Sequence, residues 1–341
     1  MTRLAQTFPT TRRRVLQLMA LLGFGGSDLV RAATALAESD NVWPEMTYRT
    51  LGRTGFEGSR LVFGCGAALM FSAKDELLNE AFEHGINVFD VGTSVYYRNA
   101  EANLAGFAKQ RRDKIFLISK GLAGFEIAPA DELTSEQRKT AARNWAKALD
   151  DSLSALKTEH VNAYYVMAVN NVSLVRSEEM HGAFVAAKKA GKVDHWGVST
   201  HQNAQAVLDA MADTGWYSLV QVAVTPAGWY DYTQGAVLAD SKPMAGLRPT
   251  LDRARAAGIG LIGMKASRYL AGRWFGYGPD RPTAFDAHYD PKFMQAGLSP
   301  FQRSYAFVLA HGLDAVNADS QSPQHLRENF LAAATSESYF V

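Results

Sequence analysis

The sequence is poor in the residues that most metal and redox centres require. Its 341 residues contain a single cysteine, Cys65. That excludes an intramolecular disulfide, and it excludes a thiolate-ligated zinc or iron–sulfur centre built by this chain alone. The eight histidines never fall at His-x-x-x-His spacing, which argues against a metal site. Charge of one sign is not in excess. Lys and Arg number 35 against 34 Asp and Glu, and the basic residues are dispersed, so no nucleic-acid surface is indicated. A Gly-x-Gly-x-x-Gly turn is also missing. FGCGAAL (63–69) offers Gly64 and Gly66 but no third glycine in place, which counts against an open dinucleotide-binding sheet. What remains is ordinary globular composition, 47% hydrophobic and 20% charged, enough for one large domain or two small ones.

The first 37 residues are of a different kind. TTRRRVLQ (10–17) sets consecutive arginines before the short apolar run VLQLMALLGFGG, and AATALA follows. A basic region, a short apolar segment and an Ala-x-Ala end describe an export signal rather than a bilayer span, which needs about 20 apolar residues. Thr11-Arg12-Arg13-Arg14-Val15-Leu16-Gln17 resembles the twin-arginine motif, so residues 1–37 are expected to be a cleaved signal and the protein periplasmic or otherwise exported. Cleavage after Ala37 removes Arg3, Arg12, Arg13, Arg14, Arg31 and Asp28, taking the net charge from +1 to −3. Twin-arginine export carries folded proteins, often with a cofactor already bound. A lone cysteine also suits an oxidising compartment, since no second thiol can misbridge within the chain.

Beyond the leader, MTYRTLGRTGFEGS (46–59) alternates and turns like a short hairpin. A rhythm then begins. Apolar runs at 60–67, 86–92, 114–121, 161–169, 195–200, 218–224, 260–266 and 314–320 alternate with helical stretches. Thr134 to Gln137 forms a capping box, and Ser322-Pro323 marks another helix start. The runs are almost continuously apolar, as strands buried on both faces are. Eight βα units point to an α/β fold of (β/α)8 TIM-barrel type over 46–336, with a short N-terminal hairpin and long loops after strands 6 and 7.

Such barrels carry their sites at the C-terminal ends of the strands. Asp90 and Lys120 end adjacent strands, and a charged pair there is a site candidate as well as a structural ion pair. Tyr96 and Tyr97 follow Asp90 closely. A nearby ammonium stabilises a phenolate, which would make either tyrosine a better proton donor.

The order and spacing of TYRTLGRTGFEGSRLVFG, INVFDVGTSVYYRNAE, RRDKIFLISKG, ALDDSLSALKTEHVNAYYVM, AGKVDHWGVSTHQNAQAV and SPQHLRENFLAAA resemble the aldo-keto reductase family. The likeness runs from about residue 47 to 336. It implies a barrel that reduces a small-molecule carbonyl with a nicotinamide cofactor, NADP(H) or NAD(H), using Asp, Tyr, Lys and His. Asp90 and Lys120 match the pattern. Val95 holds the usual tyrosine spacing, so Tyr97 or its neighbour Tyr96 would serve. EHVNAYYVM (159–167) puts Met167 on the histidine, while His160 lies at the other end of the strand. Methionine donates no hydrogen bond. Losing such a donor costs on the order of 3 kcal/mol in the transition state, or else makes room for a bulkier substrate.

The resemblance also assigns cofactor positions. Ser199 and Gln221 match residues that hold the carboxamide, and Thr200 replaces a common Asn. Met264 replaces a common Tyr and precedes Lys265. Gln321 stands where a cation often meets a 2′-phosphate, and Asn329 lies in the helix that receives adenine. Arg268, Arg273 and Lys265 are further candidates for phosphate contacts. The loop 267–300 carries Tyr269, Trp274, Phe275, Tyr277, Phe285, Tyr289 and Phe293, and the loop 226–250 adds Trp229, Tyr230 and Tyr232. These aromatics fit a cover over the site, a protein-partner interface, or a small satellite core. Two functions follow: an exported oxidoreductase, or a barrel with weakened chemistry that binds a ligand or serves another exported enzyme as an accessory subunit.

Overall fold

The computed structural model describes residues 43–270 and 281–340. The expected export signal therefore lies outside the described residues, as do Arg273, Trp274, Phe275 and Tyr277.

The N-terminal hairpin forms as expected, from β1 (Tyr48–Thr50) and β2 (Glu57–Ser59), with Tyr48 opposite Ser59. The eight apolar runs become eight parallel strands: β3 (Leu61–Gly64), β4 (Val88–Asp90), β5 (Phe116–Gly121), β6 (Val161–Val166), β7 (Val193–Thr200), β8 (Leu219–Thr225), β11 (Gly260–Met264) and β12 (Ala315–Asp319). Neighbours pair in the circular order β3-β4-β5-β6-β7-β8-β11-β12, and β12 pairs back to β3. The sheet is thus a closed (β/α)8 barrel, with helices such as Ala100–Arg111, Ser135–Leu156 and Pro323–Thr335 in the connections.

Local sequence explains the punctuation. Thr134 accepts a hydrogen bond from the Gln137 amide while the Gln137 side chain returns to the Thr134 amide, which starts the 22-residue helix. Ser322 caps the helix Pro323–Thr335, with Pro at its first turn.

Inside the barrel, side chains point inward at every second residue. Val62, Val88, Phe116, Ile118, Ala163, Tyr165, Leu219, Ile262 and Ala315 form one buried cluster. Leu51 of the hairpin connection belongs to it, and Phe56 packs against it. The same alternation, carried to the strand ends, turns Asp90, Lys120, Met167, Ser199, Gln221, Met264 and Asn317 toward the axis.

The long loop after β8 is partly a sheet extension. β9 (Gly228–Asp231) pairs antiparallel with the end of β8, and β10 (Ala236–Val237) pairs with β9. In the following loop Phe285, Tyr289 and Phe293 are buried. Phe293 stacks near Tyr289, Phe307 and Phe340, with centroids 5.3, 6.5 and 4.8 Å away. Tyr289 and Phe293 thus join Phe307 and Phe340 in a satellite core, while Phe285 packs against Tyr269, centroids 6.0 Å apart. Of the rim aromatics after β8, Trp229 and Tyr230 are buried, and Tyr232 stays exposed.

Candidate active site

Asp90 and Lys120 are both about 4% exposed at the mouth of the barrel. The Lys120 ammonium donates to both Asp90 oxygens, at 2.5 and 2.6 Å, and to the Val91 carbonyl at 2.8 Å. All of its protons are thereby used. Asn317 Nδ2 donates to Asp90 Oδ2 at 2.5 Å, fixing the carboxylate from the far side of β3. Removing one member of such a pair leaves a buried charge, at a cost of about 3–5 kcal/mol.

The short helix Ser94–Tyr97 separates the two tyrosines. Thr93 caps it, and Arg98 at φ 50° ends it. Tyr97 turns inward over two glycines. A Cβ at Gly66 would stand 2.7–2.8 Å from Tyr97 Cδ1, Cε1 and Cζ, and a Cβ at Gly92 would stand 3.1 Å from Cδ2 and Cε2. Only glycine leaves that space. The Tyr97 hydroxyl makes no hydrogen bond among the described residues. Tyr96 stands at the rim of the mouth, 46% exposed, and its hydroxyl donates to the Tyr232 hydroxyl at 3.0 Å.

The tuning expected of Lys120 is not what the geometry gives. Burial, and then the Asp90 carboxylate, push the Tyr97 phenol well above its ordinary value. The lysine's charge is spent on Asp90. Tyr97 is consequently a phenol that stays protonated, a donor rather than a resting phenolate.

A cavity of about 770 Å3 opens beside this group. It is lined near the axis by Asp90, Tyr97, Gln221, Met264 and Asn317, and farther out by Lys265, Arg268, Gln321 and Asn329. Gln221 is 2% exposed, and its Nε2 is buried with no hydrogen-bond partner among the described residues. Lys265 holds a left-handed backbone, φ 66°, and burial with Arg268 nearby lowers its pKa to about 8. At the far end the start of the helix Pro323–Thr335 faces the cavity region, with Asn329 Nδ2 donating to Ser320 Oγ at 3.0 Å and Gln321 Nε2 to Asp319 Oδ2 at 2.8 Å. An orphan amide donor, two cations and a helix N-terminus along one cleft fit a nicotinamide dinucleotide, which brings a carboxamide at one end and phosphates beyond it.

Not every expected residue reaches this cavity. Thr200 is fully buried on the outward parity of β7 and donates to Asn170 Oδ1 at 3.1 Å. Ser199 is inward, and its Oγ accepts from the Ala168 amide at 3.0 Å. Met167 is partly buried just past β6, with its amide donating to the Gly121 carbonyl at 2.8 Å. His160 lies at the opposite end of β6, between Arg112 and Asp194. Sequence reasoning missed Asn317, Asp319 and His201. The first two sit on the weakest strand signal, DAVNADS, where inward alternation would have placed both. His201 follows Ser199 by two residues, and burial with three nearby cations lowers its pKa to about 3.

A closed parallel barrel with a buried Asp–Lys pair, an inward tyrosine and a dinucleotide-sized cleft defines an oxidoreductase-type site. Comparison with known proteins places the chain further. Residues 58–265 match the model of the aldo/keto reductase family, and the chain belongs to that family. An uncharacterized oxidoreductase, YrpG of Bacillus subtilis (strain 168), is 28% identical over 165 residues, 45% of this chain. That match spans about half, 49%, of the relative's length. Two solved structures of candidate aldo-keto reductases from Pseudomonas aeruginosa share the fold, with TM-scores of 0.59 and 0.60 at 19% and 18% identity. Each alignment covers 87% of this chain and 98% of the other.

Proposed function

We propose that this protein is an exported oxidoreductase that interconverts a small-molecule carbonyl and its alcohol with a nicotinamide cofactor. The observation that carries the reading is the inward Tyr97 beside the Asp90–Lys120 pair, at the inner end of a cleft where the Gln221 amide lacks a partner. A nicotinamide held in that cleft would be the source of hydride for the carbonyl carbon. Tyr97 gives its hydroxyl proton to the carbonyl oxygen as the alcohol forms. Burial, and then Asp90, keep Tyr97 protonated at rest, so it starts each turnover as the acid, and the phenolate left behind takes its proton back from solvent. Gln221 would hold the carboxamide, and Lys265 and Arg268 would offset phosphate charge. Met167 leaves the carbonyl oxygen without a donor from β6. The accessory-subunit reading loses ground because the Asp90, Lys120 and Tyr97 set is intact and adjoins the cleft.

The test is a fluorescence titration of the protein lacking residues 1–37 with NADPH and NADH, followed by a carbonyl panel. Binding of at least one cofactor is expected. Tyr97→Phe, which keeps the ring between Gly66 and Gly92, should bind it equally well and lose about 10²–10⁴ in turnover. Binding of neither cofactor, or full turnover by Tyr97→Phe, sinks the proposal. Export is tested separately. Replacing Arg12 and Arg13 by Lys in the full chain should leave it in the cytoplasmic fraction, and unchanged fractionation would remove the twin-arginine assignment.

A further inference from the structure

Tyr96 follows β4 and Tyr232 follows β9, the strand hung on the end of β8. In the circular order, β4 and β8 stand opposite one another. Two side chains rooted on opposite walls therefore meet above the mouth, hydroxyl to hydroxyl, at 3.0 Å. The contact is braced at both ends. The Tyr96 ring packs edge-on against Tyr97, centroids 4.8 Å apart. The Tyr232 ring carries Lys265 Nζ at 4.9 Å and the Arg268 guanidinium at 5.8 Å from its centroid, with the His201 ring at 5.5 Å.

A line from β4 to β8 splits the eight strands into β5-β6-β7 on one side and β11-β12-β3 on the other. The cavity respects that line. Its barrel lining comes from β3, β4, β8, β11 and β12, and none comes from β5, β6 or β7. Yet the ends of those three strands carry inward Lys120, Met167 and Ser199, with His201 just beyond. In that half the Lys120 charge is met by Asp90 and Ser199 is bonded to the Ala168 amide, which leaves the Met167 thioether and the His201 ring as the faces a flat apolar body would meet.

We propose that Tyr96 and Tyr232 form a bar across the barrel mouth that sets which carbonyl compounds enter the half lined by Met167 and His201. Compact planar aldehydes and ketones pass, and bulky ones are held out. The proposal rests on the oxidoreductase reading for its substrate class. Because the bar touches Tyr97 through Tyr96, it also sits where a substrate oxygen must arrive.

Two measurements on the protein lacking residues 1–37 test this. The first is kcat/KM for one-ring and two-ring aldehydes. The second is calorimetric binding of benzoate and naphthoate, planar stand-ins that need no turnover, to protein saturated with whichever nicotinamide binds, or to protein alone if neither does. Tyr232→Ala should raise the two-ring to one-ring ratio at least tenfold in both. Tyr232→Phe and Tyr96→Phe, which remove only the hydroxyl contact, should shift it the same way by a smaller factor. If Tyr232→Ala fails to fold, the two Phe variants decide. A ratio unchanged in every folded variant overturns the bar, as does failure of both acids to bind any form. Selective acid binding without turnover leaves the bar standing and overturns the oxidoreductase reading instead.

Discussion

Met167 lies just past β6, on the inward parity of that strand, and on the proposed reading it stands where a hydrogen-bond donor would face the carbonyl oxygen. Its neighbours two and four residues back, Tyr165 and Ala163, lie in the inner core cluster, which fixes that direction. One donor of this kind contributes on the order of 3 kcal/mol to the transition state. Met167→His should accordingly raise kcat for a small aldehyde, by up to about 10²-fold, with cofactor affinity unchanged. Steady-state kinetics at saturating cofactor measure it, and a flat or lower kcat would show that the mouth is built around the thioether. Lys265 gives a pH signature at the same scale. Its folded pKa of about 8 lies below the ordinary lysine value, so the ammonium persists below pH 8 and is lost above it. Cofactor affinity should weaken as pH rises through that point, and Lys265→Gln should flatten the profile of Kd against pH. The linkage to stability has the opposite sign. Between about pH 8 and 10 the unfolded chain holds a proton that the folded one releases, so this residue adds stability as pH rises through that window.

At the scale of elements, two glycines beside tyrosines separate activity from folding. Gly66, in the short helix Cys65–Leu69, faces Tyr97. Gly197, in β7, faces Tyr165, where an added Cβ would stand 2.3 Å from the ring. Tyr165 is fully buried, so Gly197→Ala overpacks the barrel and should cost about 1–3 kcal/mol, seen as a lower urea midpoint. Gly66→Ala meets a ring on a four-residue helix at the rim. It should displace Tyr97 and cut turnover at least tenfold while moving the midpoint less than Gly197→Ala does. The reverse ranking would mean that Tyr97 is held by the core and not by the glycine cleft. These elements also show what the sequence makes legible. All eight barrel strands were readable, because buried parallel strands are continuous apolar runs. The Asp90–Lys120 pair followed from adjacent strand ends. That the Tyr97 ring lies over Gly66 and Gly92 is set by space those glycines leave, which spacing along the chain does not encode. Thr200 was drawn toward the cofactor by its position, and strand alternation turns it outward to Asn170. The contact between Tyr96 and Tyr232 spans 136 residues and two loops, so no local pattern announces it.

For the whole molecule, the cavity matters because of how many parts of the chain it joins. Its lining runs from Gly64 after the hairpin to Asn329 in the last long helix, crossing β3, β4, β8, β11 and β12. A closed barrel loses its register if any strand leaves, so a ligand that touches five of eight strands binds the folded state and has no counterpart site on the unfolded chain. Mass action then fixes the gain. At about 100 times Kd the folded state gains about 2.7 kcal/mol, and at about 1,000 times about 4.1 kcal/mol. In a domain of this size each kcal/mol moves the melting temperature by roughly 2–4 °C. The preferred nicotinamide should raise Tm by several degrees at the lower ratio, and the shift should grow with the logarithm of its concentration. Neutralising Lys265 should shrink that shift at pH 7 and scarcely change it at pH 9.5, where the native lysine is already uncharged. Thermal melts of the native chain and of Lys265→Gln at the two pH values, with and without cofactor, make the comparison. An equal loss of shift at both values would show that Lys265 acts through packing and not through its charge.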